Sequence, residues 1–342
     1  MWPEKTHLPT FAGRLQKADN LLRVKVVMFS DFHLPKMRYK KLVKVSAVLF
    51  GLFAAAGFFA VENVLPYAGI KPYRMVPAEN TWRFPKGFLP ENYGLHGREF
   101  SIETKDSLTL KAWFFPANRD SAKATVIILH GIGTCKETQF GRAKILTDNG
   151  FNAIALDLRA HGKSGGDYCT FGFYEKYDIQ TTVDSALQIG GRPVGIWGAS
   201  LGGAIALQAM ALDGRIAFGV IESTFDEFEK VAEEYGADWM LGLRSKRIVE
   251  RVINKSGQIA HFDPKAVMPV ESAAKIARPV LFMHGDRDDK IPIEFNRRNF
   301  EAVQSPEKQW ITVPGGGHSN MWSFGGKELE REVLDFLEQQ PK

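Results

Sequence analysis

Val194-Gly195-Ile196-Trp197-Gly198-Ala199-Ser200-Leu201-Gly202-Gly203 changes character at its serine. The residues before it form a short apolar run of the kind a buried strand needs. Ala204-Ile205-Ala206-Leu207-Gln208-Ala209-Met210 behind it is a small-residue helical pattern. A strand that turns sharply into a helix at a serine strains that serine's backbone and crowds its neighbours, so the flanking positions must lack bulk. Gly198, Gly202 and Gly203 meet that requirement. The hydroxyl is then exposed at a helix N-terminus, where backbone N–H groups can hold a developing negative charge. Gly-x-Ser-x-Gly is a common pattern, shared by ordinary glycine-rich β–α turns, so the rest of the chain must decide.

A serine hydroxyl is a poor nucleophile near neutral pH and needs a base, which in turn needs an orienting acid. On such an elbow the partners follow in the order serine, acid, histidine, the acid just past a later strand. Pro279-Val280-Leu281-Phe282-Met283-His284 suits a buried parallel strand and leads into Gly285-Asp286-Arg287-Asp288-Asp289. Trp310-Ile311-Thr312-Val313 reads as one more strand, running into Pro314-Gly315-Gly316-Gly317-His318. Of the eight histidines only His318 follows the acidic cluster, which makes it the expected base. Glu222 also ends an expected strand and is a rival acid.

Taken together, these segments resemble the α/β-hydrolase superfamily. His284-Gly285-x-x-Asp288-x-x-Ile291-Pro292 is similar to the superfamily's His-Gly-x-x-Asp-x-x-Val-Pro block, which implies Asp288 as the acid rather than Asp286 or Asp289. Leu129-His130-Gly131-Ile132-Gly133 is similar to the His-Gly loop after the third strand. That likeness implies oxyanion-hole N–H groups from Ile132 and from Leu201, just after the serine. Asp157-Leu158-Arg159-Ala160-His161-Gly162-Lys163-Ser164 is similar to the Asp-x-Arg-Gly-x-Gly-x-Ser loop after the fourth strand, with Ala160 where glycine is frequent. The resemblance spans roughly residues 95–340. It implies a serine hydrolase that cleaves a carboxylic ester or related acyl bond through Ser200, His318 and Asp288 and an acyl-enzyme, with no metal or organic cofactor. A peptidase, thioesterase or acyltransferase would use the same groups, and a non-catalytic membrane-tethered binding protein could keep the fold.

Composition agrees: 342 residues, 44% hydrophobic and 24% charged, suit a globular domain with a substantial core. Apolar runs at 124–129, 152–157, 194–198, 217–222, 279–284 and 308–313 alternate with helical stretches. That predicts a mostly parallel sheet with helices on both faces. Residues 100–102 and 108–112 alternate around Lys105-Asp106-Ser107 as an antiparallel hairpin would. No internal repeat, phosphate-binding glycine loop, metal-spacing cluster or nucleic-acid motif stands out.

The N-terminal region differs. Residues 45–61 carry no charge, and as a helix would be about 25 Å long, near the lower limit for crossing a bilayer. Lys44 can snorkel at one end. Residues 1–44 hold ten Lys/Arg and three Asp/Glu, a net of +7, against +5 for the whole chain. The remainder therefore carries −2, so the basic balance belongs to the leader, and this favours a membrane over a nucleic-acid partner. The expectation is a signal anchor at 45–61 with the catalytic domain on the non-cytoplasmic side. The alternative is a cleaved signal peptide, with Met37 as a second start and a cut near Ala54-Ala55-Ala56. Residues 62–95, with Pro66, Pro72, Pro77, Pro85 and Pro90, read as an extended tether to a catalytic domain at 96–342.

Residues 224–268 fall where this superfamily often carries a cap. Phe225, Phe228, Tyr235, Trp239, Met240, Leu241 and Leu243 there suit a core or an acyl pocket for a small-molecule substrate. Cys135 and Cys169 each follow a loop of the expected site rim. A disulfide between them fits an oxidising compartment, and two free thiols fit equally.

Overall fold

The computed structural model describes residues 39–119, 121–191, 193–239 and 245–340. Most of the basic leader, together with Met240, Leu241 and Leu243 of the cap, lies outside them. The chain divides into two units, residues 1–58 and 59–342. The helices are α1 (Tyr39–Asn63), α2 (Leu65–Ile70), α3 (Phe140–Asp148), α4 (Glu175–Gly190), α5 (Leu201–Leu212), α6 (Phe228–Trp239), α7 (Lys246–Ala260), α8 (Pro269–Ala273), α9 (Ile293–Ala302) and α10 (Met321–Glu338). The strands are β1 (Arg98–Glu103), β2 (Thr109–Phe115), β3 (Thr125–Leu129), β4 (Asn152–Leu156), β5 (Val194–Ala199), β6 (Ile216–Glu222), β7 (Val280–Gly285) and β8 (Lys308–Val313).

All eight described strands join one sheet in the order β1-β2-β4-β3-β5-β6-β7-β8. β1 and β2 form the expected antiparallel hairpin, β2 runs antiparallel to β4, and the remaining neighbours are parallel. The central strands are buried on both faces, which is why they read as continuous apolar runs. Their side chains still alternate. Ile127, Leu129, Ile154, Ile196 and Phe282 enter one core, shared with α4, α5, α8 and α9. Val126, Ile128, Ala155, Trp197 and Met283 enter the other, shared with α3 and α10. The sheet is thus covered on both faces, as the alternation of elements predicts.

The span from Lys41 to Ile70 is helical over most of its length and apolar enough to cross a membrane, with a mean hydropathy of 2.0. Leu49, Phe50 and Phe53 on it are exposed. The segment expected as an extended tether carries α2 and three short 3-10 turns. Arg74 donates to the carbonyls of Gly162 and Ser164, at 3.3 and 2.6 Å, and to that of Gly166. The Cys169 N–H reaches the Ile70 carbonyl at 2.7 Å. Cys135 and Cys169 are both free. Cys135 packs with Met75 and Phe84, and Cys169 in the core beneath α4 and α5, so their burial sites differ and no disulfide joins them. Burial pushes both thiols above their ordinary range.

One buried ion pair fastens the loops after β3 and β4. Asp157, at the end of β4, accepts from the Lys136 ammonium at 2.8 Å and from the Lys136 and Lys163 N–H groups at 2.7 and 3.0 Å. Lys136 is fully buried, and Glu99 and Glu137 also reach it at 3.1 and 3.0 Å. Removing one partner of such a pair strands the other without compensation. Lys136→Met should therefore cost about 3–5 kcal/mol, read as a lower denaturant midpoint at unchanged slope. A loss below about 1 kcal/mol would mean that the pair is solvated.

Candidate active site

Ser200 lies between β5 and α5 at φ 55°, ψ −119°. A non-glycine residue holds such a conformation only where its surroundings impose it. Here the helix start is pressed onto the sheet. A Cβ added at Gly198 would lie 2.2 Å from the Gly202 carbonyl oxygen, and one at Gly202 would lie 2.4 Å from the Leu129 carbonyl oxygen. The turn is tied down by the Ser200 N–H on the Glu222 carbonyl (2.8 Å) and by the Thr224 hydroxyl on the Ser200 carbonyl (2.7 Å).

The loops past β7 and β8 bring the other two side chains. His318 Nε2 is 3.1 Å from Ser200 Oγ, and its Nδ1 is 2.8 Å from Asp288 Oδ2. With a carboxylate at Nδ1, that nitrogen carries the proton and Nε2 is left to accept from the serine. Asp288 Oδ1 accepts from the N–H groups of Lys290 and Ile291, both at 2.9 Å, and Oδ2 also lies 3.1 Å from His284 Nε2. Burial alone would raise this carboxyl. The hydrogen bonds from His284, His318 and the backbone outweigh it and hold the group below the usual carboxylate range.

The other acids do different things. Asp286 accepts from the Gly315 N–H at 2.7 Å, stapling the two loops together, and Asp289 is exposed. Glu222 is buried behind the serine, its oxygens engaged by Arg142 at 2.8 and 2.5 Å, by Trp322 Nε1 at 3.1 Å and by Trp197 Nε1. Nothing is left of it to orient an imidazole. The Arg142–Glu222 pair between two tryptophans was not legible beforehand, since its members are 80 residues apart in sequence.

Gly131 and Ile132 lie beside the serine. A Cβ on Gly131 would come within 3.5 Å of the Ser200 Cβ, and Ile132, Ser200 and Leu201 face one pocket. Leu201 is the first residue of α5, so its N–H has no intrahelical acceptor. His130 holds the Gly131 loop: its Nε2 accepts from the Leu158 N–H at 3.1 Å, and its Nδ1–H donates to the Gly131 carbonyl at 2.8 Å. Ala160, at the frequent-glycine position, stands at φ 61°, which explains why glycine suits that position. The pocket, about 430 Å³, is bounded by α6, α7 and α2, and no charged residue among the described residues lines it. The contribution of α2 was not foreseen. A second cavity of about 70 Å³ lies on the other side of Ser200 and His318, against Arg142, Glu222 and Trp322. Among the described residues there is no cluster of metal-ligating side chains.

Residues 120–253 match the family model Hydrolase_4, described as serine aminopeptidase, S33. The chain is 28% identical over 221 residues to the uncharacterized protein YqkD of Bacillus subtilis, covering 63% of this chain and 71% of that one. It is 25% identical over 305 residues to the uncharacterized protein YfhR of Escherichia coli, covering 86% and 95%. Among solved structures the esterase Pf2001 of Pyrococcus furiosus superposes with a TM-score of 0.65 at 23% identity, over 80% of this chain and 99% of that chain.

The chain has the α/β-hydrolase fold. Its sheet, helices and serine elbow are those of the α/β-hydrolase fold, and these likenesses support a hydrolase. As in other open α/β sheets, the candidate residues gather beyond the carboxyl ends of the strands, beside the point where strand order reverses at β3 and β5.

Burial, and next the neighbouring His161, push His130 down to about 3 from 6.5, with Asp157 opposing and Lys136 adding to the shift. Below pH 6.5 the unfolded chain therefore takes up a proton that the folded chain refuses. The associated stability is full above pH 6.5 and is lost as pH falls toward 3. In His130→Asn the pH slope of unfolding free energy between pH 4 and 6 should drop by up to about 1.4 kcal/mol per unit. An unchanged slope in chemical denaturation would refute this.

Proposed function

We propose that this protein is a membrane-anchored serine hydrolase that cleaves carboxylic esters. The observation that carries the reading is the hydrogen-bonded chain Asp288–His318–Ser200, ending at an uncharged pocket. Ser200 Oγ attacks the acyl carbon and its proton passes to His318 Nε2. Asp288 stays ionised and stabilises the imidazolium. The N–H groups of Ile132 and Leu201 hold the tetrahedral oxyanion. Its collapse breaks the carbon–oxygen bond, and the departing alcohol takes the proton from His318. Water then attacks the acyl-enzyme with His318 again as base, releasing the carboxylic acid and restoring Ser200.

The family model's description raises an aminopeptidase as the second reading. An aminopeptidase must hold a substrate ammonium group, and no carboxylate among the described residues lines the large pocket. Glu222, in the smaller cavity, is already neutralised by Arg142. Ester turnover is accordingly the first assay, and labelling by a fluorophosphonate probe reports the nucleophile independently of substrate.

Ser200→Ala and His318→Ala should each lower kcat on an activated ester by about 10⁴-fold or more, and Asp288→Asn by about 10³–10⁴-fold. The Ser200→Ala, His318→Ala double variant should be little worse than either single one. Near-full activity in Asp288→Asn together with loss in folded Glu222→Gln would move the acid role to Glu222.

For the anchor, the support is the apolar span after the basic leader. The domain is proposed to lie on the non-cytoplasmic side with the span retained. Protease added outside spheroplasts, or the equivalent for another host, should digest residues 96–342. Protection of the domain would reverse the orientation, and a mature N-terminus near Gly57 would replace the anchor with a cleaved signal.

A further inference from the structure

The large pocket has a wall whose position in the chain is informative. Leu65, Ala68, Gly69, Pro72 and Tyr73 line it, and they follow directly on the end of α1 at Asn63. They are held in place from several sides. The Ser256 hydroxyl of α7 donates to the Pro66 carbonyl at 2.8 Å, Glu62 pairs with Arg251 of α7, and Ile70 is hydrogen-bonded to Cys169. Ile70 itself is fully buried. This is therefore a packed part of the catalytic unit. At about 1.5 Å per helical residue, the wall begins within roughly 5 Å of the end of α1 along the chain.

The other walls are Phe228, Val231 and Ala232 of α6 and Val249, Val252 and Ile253 of α7. The only hydroxyl that α7 contributes, Ser256, is spent on the Pro66 and Val252 carbonyls. The volume of about 430 Å³ is in the range of small-molecule sites. It is nearly three times the roughly 150 Å³ of a dry cavity that accepts benzene, so it holds an aliphatic chain on the order of a dozen carbons. Such a chain would enter with its carbonyl at Ser200, which lies on the same pocket.

We propose that Leu65–Tyr73 is a specificity-determining wall of the acyl pocket, and that the substrate is a single-chain lipid ester taken from the bilayer that α1 enters. The proposal rests on the ester-hydrolase reading above. Gly69 offers the sharpest test, because a Cβ there meets nothing within 4 Å and a larger side chain projects into open space.

The full chain is assayed on p-nitrophenyl esters from two to sixteen carbons. The wild type should have its highest kcat/KM near ten to fourteen carbons. Gly69→Trp should lower the twelve-to-four-carbon ratio of kcat/KM at least tenfold. Ala232→Trp, on α6 and elsewhere on the same pocket, should shift the profile the same way, which guards against a folding defect in either variant. In phosphatidylcholine vesicles carrying a glycerol monoester of a twelve-carbon acid, the rate should follow the ester's mole fraction in the bilayer, not its bulk concentration. An unaltered twelve-to-four-carbon ratio in Gly69→Trp overturns the wall, whatever Ala232→Trp does, and a rate set by bulk concentration overturns delivery from the bilayer. Absence of turnover at every chain length overturns the ester reading itself, an outcome distinct from a flat ratio with robust four-carbon turnover.

Discussion

The backbone of Ser200 stands in a left-handed conformation because the first turn of α5 is driven against the ends of β3 and β5. That contact has no room for a Cβ at Gly198 or Gly202. The same contact sets the serine at the start of α5, where its Oγ lies 3.1 Å from His318 Nε2. The strain is offset by the Ser200 N–H on the Glu222 carbonyl and by Thr224 on the Ser200 carbonyl, with α5 itself buried nearly all round. A mobile helix could not hold the serine in place in this way.

Around the elbow, the loops that carry the other groups are long and irregular, and polar side chains pin them, buried ones after β3 and β4 and the exposed Asp286 after β7. Asp157 and Lys136 join the loops after β3 and β4, and His130 ties the Gly131 loop to Leu158. Asp286 and the close approach of Gly285 to Gly316 hold the Asp288 and His318 loops in register. In a low-dielectric interior such bonds are costly to leave unmade, so the buried ones at Asp157 and His130 hold the loops after β3 and β4 firmly. The carboxyl of Asp288 receives hydrogen bonds at both oxygens, which keeps it ionised beside the imidazole despite its burial.

The apolar side of the site has a different origin. Two amphipathic cap helices and the segment that follows the N-terminal span enclose it, and the contacts between them include the Ser256–Pro66 hydrogen bond, the Glu62–Arg251 ion pair and side-chain packing. Discrimination by such a surface is graded, because each methylene contributes only about 1–3 kcal/mol. The polar half of the site is fixed by hydrogen bonds of defined direction, and the apolar half by packing alone.

The elements with a strong local signature were legible in the chain alone. The β-strands were readable because burial on both faces demands unbroken apolar runs, and the serine elbow because close packing demands glycine at fixed offsets. Ser200, Asp288 and His318 were named from their order and surrounding blocks, and the structure brings those three side chains within hydrogen-bond reach. Tertiary structure alone decided the rest. Glu222, a plausible acid in sequence, is taken up by Arg142 and two tryptophans that come from three other elements. Cys135 and Cys169 belong to different packed clusters. Residues 65–73, read as tether from their prolines, form a pocket wall. Local propensity and pattern act over a few residues and are written in the sequence. Which side chains compete for one carboxylate, or close one cavity, depends on segments tens to hundreds of residues apart, and only folding makes them neighbours.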